Sequence, residues 1–322
     1  ESAQYAAGKN KIINGAFNVW QRGTSFNAGS SAYTADRWDT LTDKTGASVL
    51  TTQQAFTAGS APVSGYESQY FLRTVFPAGG TFCIQEQRIE DVRTFAGQTV
   101  TLSFWAKANA TVAIEPSIVQ SFGSGGSSDV QTITSSLTLT TSWVRYSVTA
   151  AIPSISGKTI GANSYLAARV MRAVTASGFT IDLWGVQLEA GSVASPFQTA
   201  SGTLQGELAL CQRYYSKSYP QGTFADGVTS TEGSGQQTAV GTGNLFGWVP
   251  FKTTMRAAPT VNIYAGAGGS GSGSARNNSA GPVVTGIGVG GITQEGFSNT
   301  AKAGAFVATN IYGFEYTASA EL

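Results

Sequence analysis

Three strand-like runs carry the residue types that hold a sugar. In 99–108, Trp105 and Lys107 alternate with Val100, Leu102, Phe104 and Ala106. In 179–184, Asp182 and Trp184 fall opposite Phe179, Ile181 and Leu183. In 164–173, Tyr165 and Arg169 fall opposite Leu166, Ala168 and Val170. Successive strand residues point to opposite faces, so each run offers one apolar core face and one face of aromatics and polar donors. An aromatic ring stacks on the apolar side of a pyranose, and Lys, Arg and Asp hydrogen-bond its hydroxyls. The competing reading of the same pattern is burial against a long loop, a second domain or a neighbouring subunit, because aromatic patches mark interfaces of several kinds.

Catalytic alternatives are narrowed by what is missing. The chain has no histidine, which removes Ser-His-Asp and Cys-His sites and an ordinary zinc set. A glycosidase needs two carboxylates flanking a sugar. Glu86 with Glu90 or Asp91 is the nearest such grouping, but the two glutamates read more simply as solvated strand-end charges. No GxxxxGK[ST] phosphate loop is present.

The elements that must position these residues read as strands. The 322 residues include 40 glycines and only 2 methionines, which argues against helical bundles. Strand-like runs at 68–76, 80–89, 98–108, 110–119, 142–152, 164–173 and 178–189 are separated by turn signals such as Gly123-Ser124-Gly125-Gly126. Many strands at short spacing predict an antiparallel sandwich. Residues 1–10 read as the end of a linker, and 11–202 as the first domain. In 203–218 the period changes: Leu204, Leu208, Cys211 and Tyr215, spaced 4, 3 and 4, form one stripe of a short helix. That helix must pack on its own domain or on symmetry mates. Residues 219–322 read as a second β-domain containing a glycine-rich stretch, 265–281, whose composition predicts an exposed, mobile loop.

Charge is sparse and balanced, with 19 basic and 18 acidic residues and no basic run, so nucleic acid is not an expected partner. The apolar runs are too short for a membrane span, so membrane insertion is not expected. Cys83 and Cys211 lie far apart and read as two buried thiols. The chain starts at Glu1 without a methionine and reads as a fragment or a processed product.

Taken in order, "NKIINGAFNVWQRGTSF", "YTADRW", "GQTVTLSFWAKA", "FTIDLWGVQLEAGSVASPFQT" and "ELALCQRYYSKS" resemble the tail-fibre, spike and appendage proteins of tailed bacteriophages. The resemblance covers roughly residues 9–217 and more weakly the rest. It implies a virion appendage that is usually a homotrimer and attaches to a host surface polysaccharide. A part preceding this chain would then join other virion proteins. The first domain also resembles jelly-roll carbohydrate-binding modules through its "NGxF" opening and its "SFWAKA" and "IDLW" strands. Many such modules hold a structural calcium with an acidic residue after "NGxF". That position is Asn18 here, which leaves Asp182 as the carboxylate candidate. The expected fold is therefore all-β: a jelly-roll, galactose-binding-like sandwich, a short helix and a second sandwich at the tip. The expected function is non-covalent adhesion to a glycan. A structural or decoration protein and a glycan-cleaving spike are the alternatives. Trimerisation along the Leu204–Tyr215 stripe has a direct measurement: light scattering should give the mass of three chains, and Leu208→Asp should lower it to one.

Overall fold

The structure, a computed structural model, describes residues 8–43, 49–64, 66–78, 82–173, 178–224, 235–239, 244–265, 273–278, 283–301 and 306–322. It divides into two compact units. The first comprises residues up to Trp20, Thr24–Leu208 and Leu322, and the second Gln21–Gly23 and Ala209–Glu321.

The first unit is a jelly-roll β-sandwich. Its strands are β1 (Ser25–Ala28), β2 (Ser31–Tyr33), β3 (Trp38–Thr42), β4 (Val49–Ala55), β5 (Tyr70–Phe76), β6 (Cys83–Glu90), β7 (Thr99–Ala108), β8 (Val112–Ile114), β9 (Ser117–Ser121), β10 (Val130–Ile133), β11 (Leu137–Leu139), β12 (Val144–Ala151), β13 (Tyr165–Ala173) and β14 (Phe179–Ala190). One sheet has the order β1-β4-β5-β14-β7-β12 and the other β10-β9-β13-β6-β3-β2, while β8 and β11 form a separate ribbon. All pairings are antiparallel, and the chain passes repeatedly from one sheet to the other, as from β12 to β13 to β14. The strands at the centre of each sheet are thus distant in sequence, which is how a jelly roll encloses one core. The run 110–119 is two strands because Pro116 lies between β8 and β9 and cannot donate to a ladder.

The core is filled from both sheets in the alternating pattern. Val100, Leu102, Phe104 and Ala106 of β7, Leu166, Ala168 and Val170 of β13, and Phe179, Ile181 and Leu183 of β14 all lie in one buried cluster. In β14 the alternation then slips. The register to β7 shifts between Trp184 and Gln187, Gly185 has φ +66°, and Val186 and Leu188 are the next core residues. One extra residue is inserted there, a β-bulge.

The opening segment seals that bulge. Val186 donates its N–H to the Gly15 carbonyl at 3.0 Å, and the Val186 carbonyl accepts from Asn10 Nδ2 at 3.1 Å. A Cβ on Gly15 would sit 2.2 Å from the Val186 oxygen, so only glycine allows this approach. Asn14, at φ +56°, donates through Nδ2 to the Val19 and Asp36 carbonyls and accepts the Val19 N–H at 3.0 Å. Its own N–H donates to Glu207 Oε2 at 2.7 Å. The turn delivers Phe17, Trp20 and Trp38 into the core.

Several expectations need correction. Arg22 and Arg37 beside Asp36 and Asp39 read in sequence as a surface or interface ion-pair set, but Asp36, Arg37 and Asp39 are buried: Arg37 donates to the Arg88 carbonyl, while Asp39 accepts from Ser31 and Arg88. Arg22 pairs instead with Glu321 at 2.8 Å. Glu86 is also buried, between Arg88 and Arg169, because it lies mid-sheet between β3 and β13 and not at a solvated strand end. Cys83 and Cys211 are buried and not joined in a disulfide.

The helix α1 spans Leu204–Gln212. Thr203 caps it, its Oγ1 accepting the Gly206 N–H at 3.0 Å. The second unit contains β15 (Tyr215–Lys217), β16 (Gly235–Ala239), β17 (Asn244–Pro250), β18 (Thr260–Tyr264), β19 (Ser274–Asn277), β20 (Val283–Thr285), β21 (Gly288–Gly290), β22 (Gly296–Ala301) and β23 (Ile311–Ser319). The first half of β23 pairs with β16 and β19, and the second half with β15 and β18. Its core joins Val261 and Ile263 to Phe297, Phe314 and Tyr316. Ser274–Asn277 belongs to this sheet, with Ala275 fully buried, so that part of 265–281 is not the exposed loop that its glycines suggested. The stretches 266–272 and 279–282, like the linker residues 1–7, lie outside the described residues.

Glu315 of β23 is completely buried; Ser218 Oγ donates to its Oε2, and Oε1 has no hydrogen-bond partner among the described residues. Burial raises its carboxyl above the usual value, although Ser218 and Lys252 pull the other way. A raised carboxyl stabilises the fold below its unfolded pKa, and this contribution is lost as pH rises through the folded pKa. Glu315→Gln should therefore raise the melting temperature at pH 7 and leave it little changed at pH 4, as read by calorimetry. Asn14→Ala should cost about 2–4 kcal/mol in urea unfolding, since it strands buried backbone groups and puts a Cβ residue without side-chain bonds at positive φ.

Candidate functional site

The outer face of the β1-β4-β5-β14-β7-β12 sheet gathers the chemistry. Arg73 of β5, Asp182 of β14 and Lys107 of β7 are register partners across three adjacent strands. Opposite charges directly across a ladder attract. Arg73 grips Asp182 with two bonds, Nε to Oδ1 at 2.6 Å and Nη2 to Oδ2 at 2.8 Å. The Lys107 ammonium stands 3.5 Å from Oδ2 and 5.3 Å from the Trp143 ring centroid. With Asn109, Thr141 and Thr180 these residues line a cleft of about 270 Å³.

Beside this row lies an aromatic block. Trp184 is fully buried under Tyr66 and Phe197, with ring centroids at 5.5 and 4.9 Å, and its Nε1 donates to Ser68 Oγ at 2.6 Å. Phe56 joins Trp184 to Trp143, at 6.2 and 5.6 Å. Trp105 is half-buried, 5.3 Å from Trp184, and the Arg145 guanidinium lies 4.6 Å from its ring centroid. The segment carrying Phe197 is tied down by Glu189, whose carboxylate accepts the N–H and hydroxyl of Ser195 at 2.8 and 2.7 Å. Burial alone would push the Glu189 carboxyl up, but the bonds from Ser195, Gln187 and Lys9 hold it below the usual range. On the far side of the block a second cleft, of about 530 Å³, is lined by Tyr66, Phe197, Gln198, Thr199, Ser201 and Thr203 among others. Burial, and then the Glu207 carboxylate, raise the Tyr66 phenol, so it remains a donor.

The six residues singled out from sequence do not form one constellation. Trp105, Trp184, Lys107 and Asp182 share this face. Tyr165 and Arg169 belong to β13, in the other sheet, and sit on the opposite side of the sandwich. There Arg169 bonds Glu86 at 2.8 Å, and the Arg88 guanidinium lies 5.2 Å from the Tyr165 ring. Trp184 is not an exposed platform, because the Tyr66 and Phe197 segments cover it. Alternation identifies a face but not what a loop lays over it. Arg73, Trp143 and Tyr66 were missed. Alternation in 70–76 puts Arg73 outward, and that signal was readable; the placements of Trp143 and Tyr66 depend on loop paths.

Asp182 does not suit calcium: both its oxygens face cations, Arg73 and Lys107, and no cluster of three or more metal-ligating side chains occurs among the described residues. The proposed seam is also broken as a helical stripe. Leu204 is exposed, Leu208 half-buried and Cys211 buried, and Tyr215 lies in β15, because α1 ends at Gln212. Among the described residues no helix is long and apolar enough to cross a membrane.

No family model matches the sequence, and no curated protein does. Solved structures similar to it include the enzymatically active domain of tailspike protein 4 of bacteriophage CBA120, at 15% identity and a TM-score of 0.33, covering 57% of this chain and 22% of that one. A second is TmCBM61 in complex with β-1,4-galactotriose, at 11% identity and a TM-score of 0.33, covering 56% and 99%. A third is a Stig cyclase from Fischerella sp. TAU, at 13% identity and a TM-score of 0.38, covering 59% and 100%.

Trp184→Ala should cost about 3–5 kcal/mol, as removal of a fully buried indole does. In thermal melts this variant should be clearly destabilised, and Trp105→Ala much less so.

Proposed function

We propose that the chain binds glycan non-covalently through the outer face of the β5-β14-β7 region, as part of an extracellular appendage of a tailed-phage virion. One observation carries the binding reading. A single aromatic block is flanked on two sides by clefts whose rims are hydroxyl, amide and charged groups. Binding sites combine an apolar body with a few placed polar groups in this way, and a pyranose presents the matching surfaces. The appendage reading rests on the ordered sequence resemblance, which also supports a homotrimer, a host surface polysaccharide as partner and a preceding part joined to other virion proteins. Three linked copies would make weak single-site binding sufficient, since avidity gains are on the order of 10²–10⁴.

The test is a glycan array and host-cell binding with Trp143→Ala and Tyr66→Ala, with oligomer mass followed by light scattering. Each variant should bind at least about tenfold more weakly, with unchanged mass. Both rings also pack on the buried block, so the melting temperature should fall, and binding is compared at a temperature at which parent and variants are fully folded. If both folded variants bind as the parent does, the host contact lies elsewhere. Trp248, 51% exposed on β17, is then the next residue to replace.

A further inference from the structure

The cleft beside Trp143 is unbalanced in charge. Its lining holds two cations, Arg73 and Lys107, and one carboxylate, Asp182. The carboxylate lies beneath, its side chain 4% exposed, while the cations are 35% and 32% exposed. Both Asp182 oxygens are already committed to Arg73. Lys107 has its ion pair and its position over Trp143, but makes no hydrogen bond to any described residue. Arg73 uses only Nε and Nη2. Asn109 spends its Oδ1 on the Thr180 N–H, which leaves its amide donors toward the cleft. The hydroxyls of Thr141 and Thr180, each able to donate and to accept, complete a rim whose exposed charges are both positive. Among the described residues, the larger cleft on the other side of the block has no charged side chain in its lining.

We propose that the Arg73–Asp182–Lys107 cleft binds the anionic group of an acidic saccharide, with Lys107 and the free edge of Arg73 as its charge partners and Trp143 beside the sugar ring. Asp182 is a positioning residue: its two bonds fix the Arg73 guanidinium, and its charge offsets the repulsion between the two cations. A charge-assisted bond to a carboxylate, sulfate or phosphate is stronger than one to a neutral hydroxyl, so this cleft selects the acidic residue of a glycan chain. The inference rests on the glycan-binding reading and narrows it.

The experiment is affinity electrophoresis of the intact protein in native gels containing polygalacturonate, chondroitin sulfate, dextran or xylan. Lys107→Gln and Arg73→Gln are compared with Lys158→Gln, a surface change away from the cleft. The parent should be retarded by at least one acidic polymer, and that retardation should weaken about tenfold in Lys107→Gln and Arg73→Gln but not in Lys158→Gln. Polygalacturonate against chondroitin sulfate separates a carboxylate from a sulfate preference. Equal retardation of the parent and the two cleft variants, or equal loss in Lys158→Gln, overturns the assignment, because the attraction is then a general one. Retardation by dextran or xylan alone, lost in Trp143→Ala, overturns the acidic class and leaves glycan binding standing. A parent retarded by none of the four, and bound to no array glycan, overturns both. Thermal melts of each variant separate loss of binding from loss of fold.

Discussion

The bulge at Gly185–Val186 is the constraint around which the first unit is arranged. It inserts one residue into the most central strand of a six-stranded sheet, so Leu183 and Val186 both face the core and Trp184 faces outward. A bulge leaves backbone groups outside the ladder, and buried groups of that kind must find partners. Gly15 and Asn10 supply them. The glycine is required by the close approach to the Val186 oxygen, and Gly185 by the positive φ and by Trp105, whose ring would lie 2.7 Å from an added Cβ. The run "NGAFNVW" is thus the structural complement of "IDLWGVQLE", some 170 residues later.

The same bulge builds the candidate site. It ends the stretch in which β14 pairs in phase with both neighbours, and the Arg73–Asp182–Lys107 row sits just before it. After it, Gln187 and Glu189 face outward and hold the segment that brings Phe197 over Trp184. One face therefore carries two different surfaces. A charged row lies at the open end, and an aromatic block lies under a strap. The opposite sheet carries a second charged row. There Asp39, Glu86 and Arg169 are also cross-strand partners, and the two carboxylates, like Asp182, are buried and bonded to arginines. Burial raises the Asp39 carboxyl despite its bonds from Ser31 and Arg88, a structural use of charge.

What the sequence discloses follows period-two order. The core faces of β7, β13 and β14 are those that alternation assigns, and Phe17, Trp20 and Trp38 are buried. Alternation is a local rule, however. It cannot tell which sheet a strand joins, so Tyr165 and Arg169 looked like neighbours of Trp105 when they lie across the sandwich. It also says nothing of loops: Tyr66 and Phe197, which bury Trp184, come from segments with no period. The 4-3-4 spacing after residue 203 continued past the helix because spacing does not mark the turn at Arg213–Tyr214 after Gln212, where β15 begins two residues later. Composition misled at Ser274–Asn277, where glycine-rich flanks hide a short strand with a buried alanine.

The double service of β23 has a kinetic consequence. This one strand pairs with β15, β16, β18 and β19, which begin between 35 and 100 residues earlier in the chain. Loop closure over such spans must precede any gain from pairing, and folds dominated by non-local pairs form slowly. During synthesis the first unit's sheets can assemble as their strands emerge, whereas β15, β16, β18 and β19 each wait with an unpaired edge until residues 311–319 have left the ribosome. The second unit is therefore the late and aggregation-exposed step in the chain's folding, and the stage at which a partner chain or a chaperone would matter most.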